Sequence, residues 1–257
     1  MNRRIGSSTA PFGHGKRTYR HQDFGSGMTA FEVVSQETDL LVRADCRLEV
    51  ETREKVVGLR GQIEGYIRRC PDFATSLTPW RNDDPAPAIV RDMIEAGRAA
   101  GVGPMAAVAG AVAGRVGRHL LTYSRRVVVE NGGDIFLKTE GPAIAGLFAG
   151  NSPLSMKVGI RLESTGEGIG VCTSSGTVGH SLSLGSADAV CVIALSCALA
   201  DAAATSIGNR ICSARDIKPA ISFGRSIEGV LGIVAVAGRE IGAWGQVELV
   251  PLQAKKG

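Results

Sequence analysis

The side chains able to do chemistry gather in three short segments of the second half of the chain. The first is Asn131-Gly132-Gly133-Asp134. Adjacent glycines offer successive backbone N–H groups and let a phosphate come close to the chain. Asp134 is suited to holding an amine or a metal ion, and equally to capping its own turn. The second segment runs from Val171 to Ser181. Thr173, Ser174, Ser175 and Gly176 supply hydroxyls and an open backbone, and His180 follows them. So many donors are not buried without partners, so the stretch reads as a surface turn or a ligand cradle. Cys172 and His180 are the residue types of a nucleophile and its base. The competing reading is a structural or ligand-contacting Cys172. The third segment is Ala200-Asp201-Ala202-Ala203-Ala204-Thr205. On a helix, Asp201 and Thr205 share one face. A carboxylate and a hydroxyl are hard oxygen donors, matched to Mg2+ and the phosphates it bridges. Two ordinary helix-face hydrogen-bonders would look the same.

These segments need elements to position them. Thr18–Val34 reads as extended chain, and Asp39–Val50 alternates as a strand with Leu40, Val42, Ala44, Cys46, Leu48 and Val50 on one face. A hairpin across Ser35–Asp39 would join the two. Val56, Leu59, Ile63 and Ile67 recur at helical spacing, predicting a helix over Arg53–Arg69 that Pro71 closes. Asp72–Asp84 is a polar connector carrying Trp80, and Ala88–Gly97 reads as a second helix. Gly101–Gly117 holds almost nothing bulkier than Val. A helix over Ala106–Val116 is expected there, although Gly110 and Gly114 each weaken it by about 0.8–1 kcal/mol relative to Ala. Such glycines mark either tight helix packing or the close approach of a ligand. Arg126–Glu130 and Ile135–Lys138 are predicted strands around the Gly-Gly turn. Met156–Leu162 and Ala187–Leu195 are further strands, with Gly166–Val171 leading into the hydroxyl-rich segment. Cys197–Ile207 is the helix that carries Asp201 and Thr205. Ile211–Ala214 would be a short turn of structure, and Val230–Ala237 and Ala243–Pro251 close the chain in extended form. The expected fold class is α+β: one domain of mixed and antiparallel sheets packed with helices over 28–257, after a basic, flexible arm over 1–27.

Composition narrows the function classes. The chain has 34 glycines but only seven Phe, three Tyr and two Trp, while 44% of its residues are hydrophobic. Its core must be built from Val, Ala, Ile and Leu with backbones packed closely, and wholesale disorder is excluded. The glycines have no three-residue period, which excludes collagen. Six cysteines without a CxxC pattern are too few for a disulfide scaffold. The formal charge of +4 resides in residues 1–30, which hold Arg3, Arg4, Lys16, Arg17 and Arg20 against Asp23. The rest is neutral and its basic residues form isolated pairs, Arg68–Arg69 and Arg125–Arg126, so no nucleic acid partner is expected. The most apolar run, Ala189–Ala200, is well short of the roughly 18 residues a membrane span needs. The basic arm lacks an apolar secretory core, which makes the cytoplasm the expected location. A homodimer is compatible with base rates alone.

Taken together and in this order, the three segments resemble the ApbE-like superfamily, whose enzymes handle flavin nucleotides. Gly101–Gly117 and Asn131-Gly132-Gly133-Asp134 are similar to its small-residue helix start and N-x-GGD-type turn. Thr173-Ser174-Ser175-Gly176 with His180 looks like its "ATSG" loop and histidine. Ala200–Thr205 matches its "A-D-A-x-A-T" helix, the most specific of these similarities. The resemblance covers roughly residues 100–210 and points to a UPF-type branch shared by some bacteria and archaea. It implies the ApbE-like fold, Mg2+ on Asp201 and Thr205, and FAD or FMN as ligand. Asn131, Gly132, Gly133 and Thr173–Gly176 would then contact the flavin nucleotide, with Asp134 and His180 as the catalytic candidates that orient the substrate. The implied function is a Mg-dependent enzyme acting on a pyrophosphate or transferring FMN. Two alternatives stand beside it: a non-catalytic flavin- or nucleotide-binding protein, and an enzyme that uses Cys172 as a catalytic residue on a different substrate, for example a sulfur-related one. The chain departs from the superfamily after His180, where Ser181-Leu182-Ser183-Leu184 replaces an Asp-Pro-containing loop.

Overall fold

The computed structural model describes residues 27–164, 166–176 and 185–252. The predicted arm over 1–27 therefore lies outside the described residues except for Gly27. Strands β1 (Thr29–Ser35) and β2 (Thr38–Ala44) form the expected hairpin, with Ser35 opposite Thr38. β2 stops earlier than its alternation predicts. Asp45 ends it by accepting hydrogen bonds from the Ser124 hydroxyl and from the Arg125 and Arg126 N–H groups. The chain then turns into helix α1 (Glu49–Arg69), with Leu48 at its N-cap. Cys46 is exposed, and Val50 is 66% exposed rather than part of a strand face. Glu49 and Glu51 favour this start, because the first turn of a helix attracts negative charge.

Helix α2 (Ala88–Ala100) ends at Gly101, whose φ of 73° is the left-handed conformation that closes many helices. A 3-10 turn, Pro104–Ala107, leads into α3 (Val108–Leu120). The strands β3 (Val127–Asn131), β4 (Asp134–Lys138), β5 (Ala143–Gly146), β6 (Val158–Leu162), β7 (Ile169–Ser174) and β8 (Ala189–Ala194) follow. Helices α4 (Cys197–Gly208) and α5 (Ile217–Gly224) precede β9 (Val230–Ala237), β10 (Glu240–Gly245) and β11 (Glu248–Pro251). β5 and α5 were not foreseen. Each is short, and α5 carries Pro219 in its first turn; a Ser213–Asp216 capping box starts the turn before it. The extended segment expected over Ala243–Pro251 breaks at Gly245, at φ 85°, into two strands that join different sheets.

All strand pairs are antiparallel. The large sheet runs β1-β2-β3-β4-β7-β8-β9-β10, and the small one runs β11-β6-β5. Alternation along the central strands divides the core in two. Val127, Val129, Phe136, Cys172, Val190, Val192 and Ala194 face the helices. Val128, Leu137, Ile169, Val171, Cys191 and Ile193 face the small sheet. The fold is thus α+β, with the eight-stranded sheet between a helical layer and a three-stranded sheet. Among the described residues, no single helix is long and apolar enough to cross a membrane.

The small-residue segment has a packing explanation. A Cβ at Gly110 would lie 2.3 Å from the Cys197 carbonyl oxygen and 2.8 Å from Asp201 Cβ. A Cβ at Gly117 would lie 2.0 Å from the Phe136 ring. These glycines bring α3 against α4 and β4.

Candidate functional site

The two-residue turn between β3 and β4 is Gly132–Gly133, at φ 69° and 119°. It sets Asn131 and Asp134 opposite each other. Both sit at the tip of the hairpin, beside the start of α3. The Asn131 side-chain amide donates to the Ala109 carbonyl at 3.1 Å. From the other side, Asp201 of α4 accepts the Gly110 N–H at 2.8 Å and also the Ala109 N–H. Asp201 thereby caps α3, whose own N-cap residue, Ala107, has no side chain to do so. This is one of the bland roles foreseen for Asp201, but the helix served is α3 rather than its own.

Asp134 is paired in register with Cys172 of β7 and is 8% exposed. Burial pushes its pKa up, to about 7. The Cys172 thiol and the Thr173 N–H, both donating to it, pull the other way, and Glu130 adds to the rise. Burial and then the Asp134 charge raise Asp201 too, with the Gly110 and Ala109 N–H groups opposing. Two carboxylates from separate elements therefore lie within electrostatic reach. Neither forms an ion pair among the described residues.

Cys172 is fully buried, and its thiol also lies 3.4 Å from the Cys197 carbonyl oxygen. Burial, followed by Asp134, Cys197 and Asp201, holds its pKa well above the usual thiol range. The sulfur keeps its proton, whereas a nucleophile needs the thiolate. Cys191 and Cys197 are buried as well, at about 11 and about 12, mainly through desolvation.

The hydroxyls of the second segment divide across the sheet. The Thr173 side chain bonds to Cys191 on the small-sheet face, so only its backbone reaches Asp134. Ser174 Oγ lies 3.8 Å from where a Gly208 Cβ would stand, on the α4 side. Ser175 is half-buried and Gly176 exposed, its N–H donating to the Ala187 carbonyl. Thr205 is half-buried, one turn along α4 from Asp201. His180 lies outside the described residues. Asp188 serves a loop, accepting the Gly238 N–H at 2.6 Å.

Asn131, Gly132, Gly133, Asp134, Cys172 and Asp201 are thus brought together. Sequence reasoning missed Glu130 and the Ala109–Gly110 backbone. Glu130 is buried on the small-sheet face, opposite Ile135, and reaches Asp134 only through its charge; its one signal was an acid closing an apolar strand. Among the described residues no three His, Cys, Asp or Glu side chains gather as a metal cluster. Two hollows, of about 390 and 580 Å³, lie elsewhere and are lined by none of the predicted site residues.

A family model described as AbpE bacteria matches residues 21–228. The UPF0280 protein of Methanococcus aeolicus is 41% identical over 217 residues, covering 82% of this chain and 88% of its own. That of Methanocaldococcus jannaschii is 42% identical over 226 residues, covering 85% and 91%. Among solved structures, the ApbE protein of Thermotoga maritima superposes with a TM-score of 0.52 at 14% identity, covering 84% of this chain and 96% of that one. This last likeness concerns the fold.

Proposed function

The chain belongs to the family described as AbpE bacteria, and on that footing we propose a Mg2+-dependent enzyme of flavin nucleotides. It would cleave the pyrophosphate of FAD, releasing AMP and passing FMN to a hydroxyl acceptor or to water. The observation that carries the reading is the meeting of Asp134 and Asp201 beside the Gly132–Gly133 turn, with no basic side chain paired to either among the described residues. Two desolvated carboxylates and the Thr205 hydroxyl are a hard-oxygen donor set that fits Mg2+. Asp201 and Thr205 would hold the ion, with Asp134 adjacent. Bound there, it would neutralise the pyrophosphate and stabilise charge as the P–O bond breaks.

The remaining roles fall to the chain itself. The backbone of Gly132 and Gly133 and the Ser174–Gly176 segment cradle phosphate oxygens. Asn131 and Asp201 fix the first turn of α3, so the small-residue backbone keeps its place beside the turn. Cys172 and the Thr173 N–H hold the Asp134 carboxylate in one orientation. His180 remains the candidate for acid–base help near neutral pH.

The test is FAD with MgCl2 and the purified chain, with AMP and FMN separated chromatographically. AMP is expected only when Mg2+ is present. Asp201→Asn keeps an oxygen able to cap α3 but loses the charge, and should slow AMP release by about a hundredfold. Saturable FAD binding with no AMP would favour the non-catalytic reading, which the capping duty of Asp201 also supports. Loss of activity in Cys172→Ala but not in Asp201→Asn would favour chemistry at sulfur.

A further inference from the structure

The larger hollow, about 580 Å³, lies between the end of α1 and the connector that follows it. Its lining includes Arg69, Asp72, Ser76, Thr78, Trp80 and Arg81. It is open to solvent rather than enclosed, a hollow in the surface.

An aromatic stack behind the hollow fixes Trp80, the one aromatic ring that lines it. Tyr66 and Phe73 meet edge to face at 4.8 Å between ring centroids, and Phe73 and Trp80 do so at 5.5 Å. The Trp80 indole N–H donates to the Tyr66 oxygen at 3.3 Å, and the Tyr66 hydroxyl donates to Asp83 at 2.7 Å. The connector is also pinned from behind. A Cβ at Gly103 would lie 1.7 Å from the Ser76 carbonyl oxygen, so the two backbones touch. A connector read from sequence as a bare link is instead a shaped wall.

The charge on that wall is unbalanced. Arg69 lies 5.7 Å from the Tyr66 ring centroid, and neither Arg69 nor Arg81 forms an ion pair among the described residues. Asp72 is the one carboxylate among the lining residues. Two guanidinium forks, the Thr78 hydroxyl and a half-buried indole make a surface suited to a phosphate group, while the Ser76 hydroxyl donates to the Thr78 carbonyl at 2.9 Å and shapes the wall. We propose that this hollow binds a small phosphate-bearing anion, at a site separate from Asp134 and Asp201. Arg69 and Arg81 hold the phosphate and Trp80 borders the rest of the ligand.

Trp80 and Trp244 are the only two tryptophans, so Trp244→Phe leaves Trp80 as the sole indole reporter. Trp244 lies on β10 near Arg225, and the full chain with this change should fold normally. Inorganic phosphate and phenyl phosphate are titrated separately at constant ionic strength while Trp80 emission is followed. A saturable change with either one is expected. It should weaken by about tenfold or more in Arg69→Ala and again in Arg81→Ala, since each loses a charged hydrogen bond. The melting temperature of these variants should be nearly unchanged, because both guanidinium groups lie at the surface. Asp201→Asn should bind as before, which separates this site from the proposed active site. Tighter binding of phenyl phosphate identifies an aromatic ester as the ligand, and equal binding identifies free phosphate. An emission change reproduced by sodium chloride, or one that persists when both arginines are replaced, overturns the proposal.

Discussion

Asp134 is an acid placed where water does not reach, and pH should expose its cost. In the unfolded chain it ionises near the ordinary value of about 3.9, but in the folded protein only near 7. Between those values the folded state holds the extra proton. Stability from this group is therefore complete below about pH 4 and is lost as pH rises through 7. Asp134→Asn should make that fall shallower, the remainder belonging to Asp201, whose pKa burial raises as well; thermal midpoints between about pH 5 and 8 would report it, and an Asn variant with the full wild-type slope would contradict it. Asp45 behaves in the opposite sense. Burial alone would raise it, but hydrogen bonds from Arg126, Ser124 and Arg125 outweigh that and lower it to about 2. Its contribution is present above about pH 4 and lost as pH falls towards 2, and at this exposed position it is about 1 kcal/mol or less. Asp45→Asn should make acid unfolding shallower, which a urea series at low pH would measure.

At the scale of elements, the fit of α3 against α4 decides where Asp201 stands. Gly110→Ala forces a methyl into the Cys197 carbonyl and the base of Asp201. It should cost about 1–3 kcal/mol and weaken any Mg2+ effect on stability, both readable from denaturant unfolding with and without the ion. Gly61, in the exposed part of α1, has open space around its would-be Cβ. Gly61→Ala should stabilise by about 0.5–1 kcal/mol through helix propensity. The two glycines look alike in the sequence. They differ only in what another element places beside them. The bidentate Arg115–Asp92 pair, at 2.6 Å, ties α3 back to α2 and helps hold this arrangement.

For the whole molecule, the layering sets a hierarchy of stability. All six residues of β8 are buried, inside the large sheet between β7 and β9. β10 is largely exposed at one edge of that sheet, and β11 at one edge of the small sheet. Hydrogen exchange followed by mass spectrometry should find amides of β7 and β8 exchanging only on global unfolding. Those of β10 and β11 should exchange sooner, through local opening. Equal protection across all three layers would show that the small sheet does not open separately.

The sequence by itself determined most of the elements, because hydrophobic period and turn chemistry are local. The hairpin at Gly132–Gly133 was legible from its two glycines, and α4 from an apolar run of helix length. The Ala200–Thr205 pattern even placed the chain near its superfamily before any fold was known. Local pattern failed where distant residues intervene. β2 ends early because Ser124, Arg125 and Arg126, far along the chain, bind Asp45. Only tertiary structure decided that Asp201 caps α3 and shares its surroundings with Asp134. It alone turned the Thr173 side chain away from that site, kept Cys172 protonated, and shaped a cationic hollow from a connector. The physical reason is common to all of these. Burial, charge coupling and hydrogen-bond partners depend on which elements touch, and that is set by the packing of the whole chain.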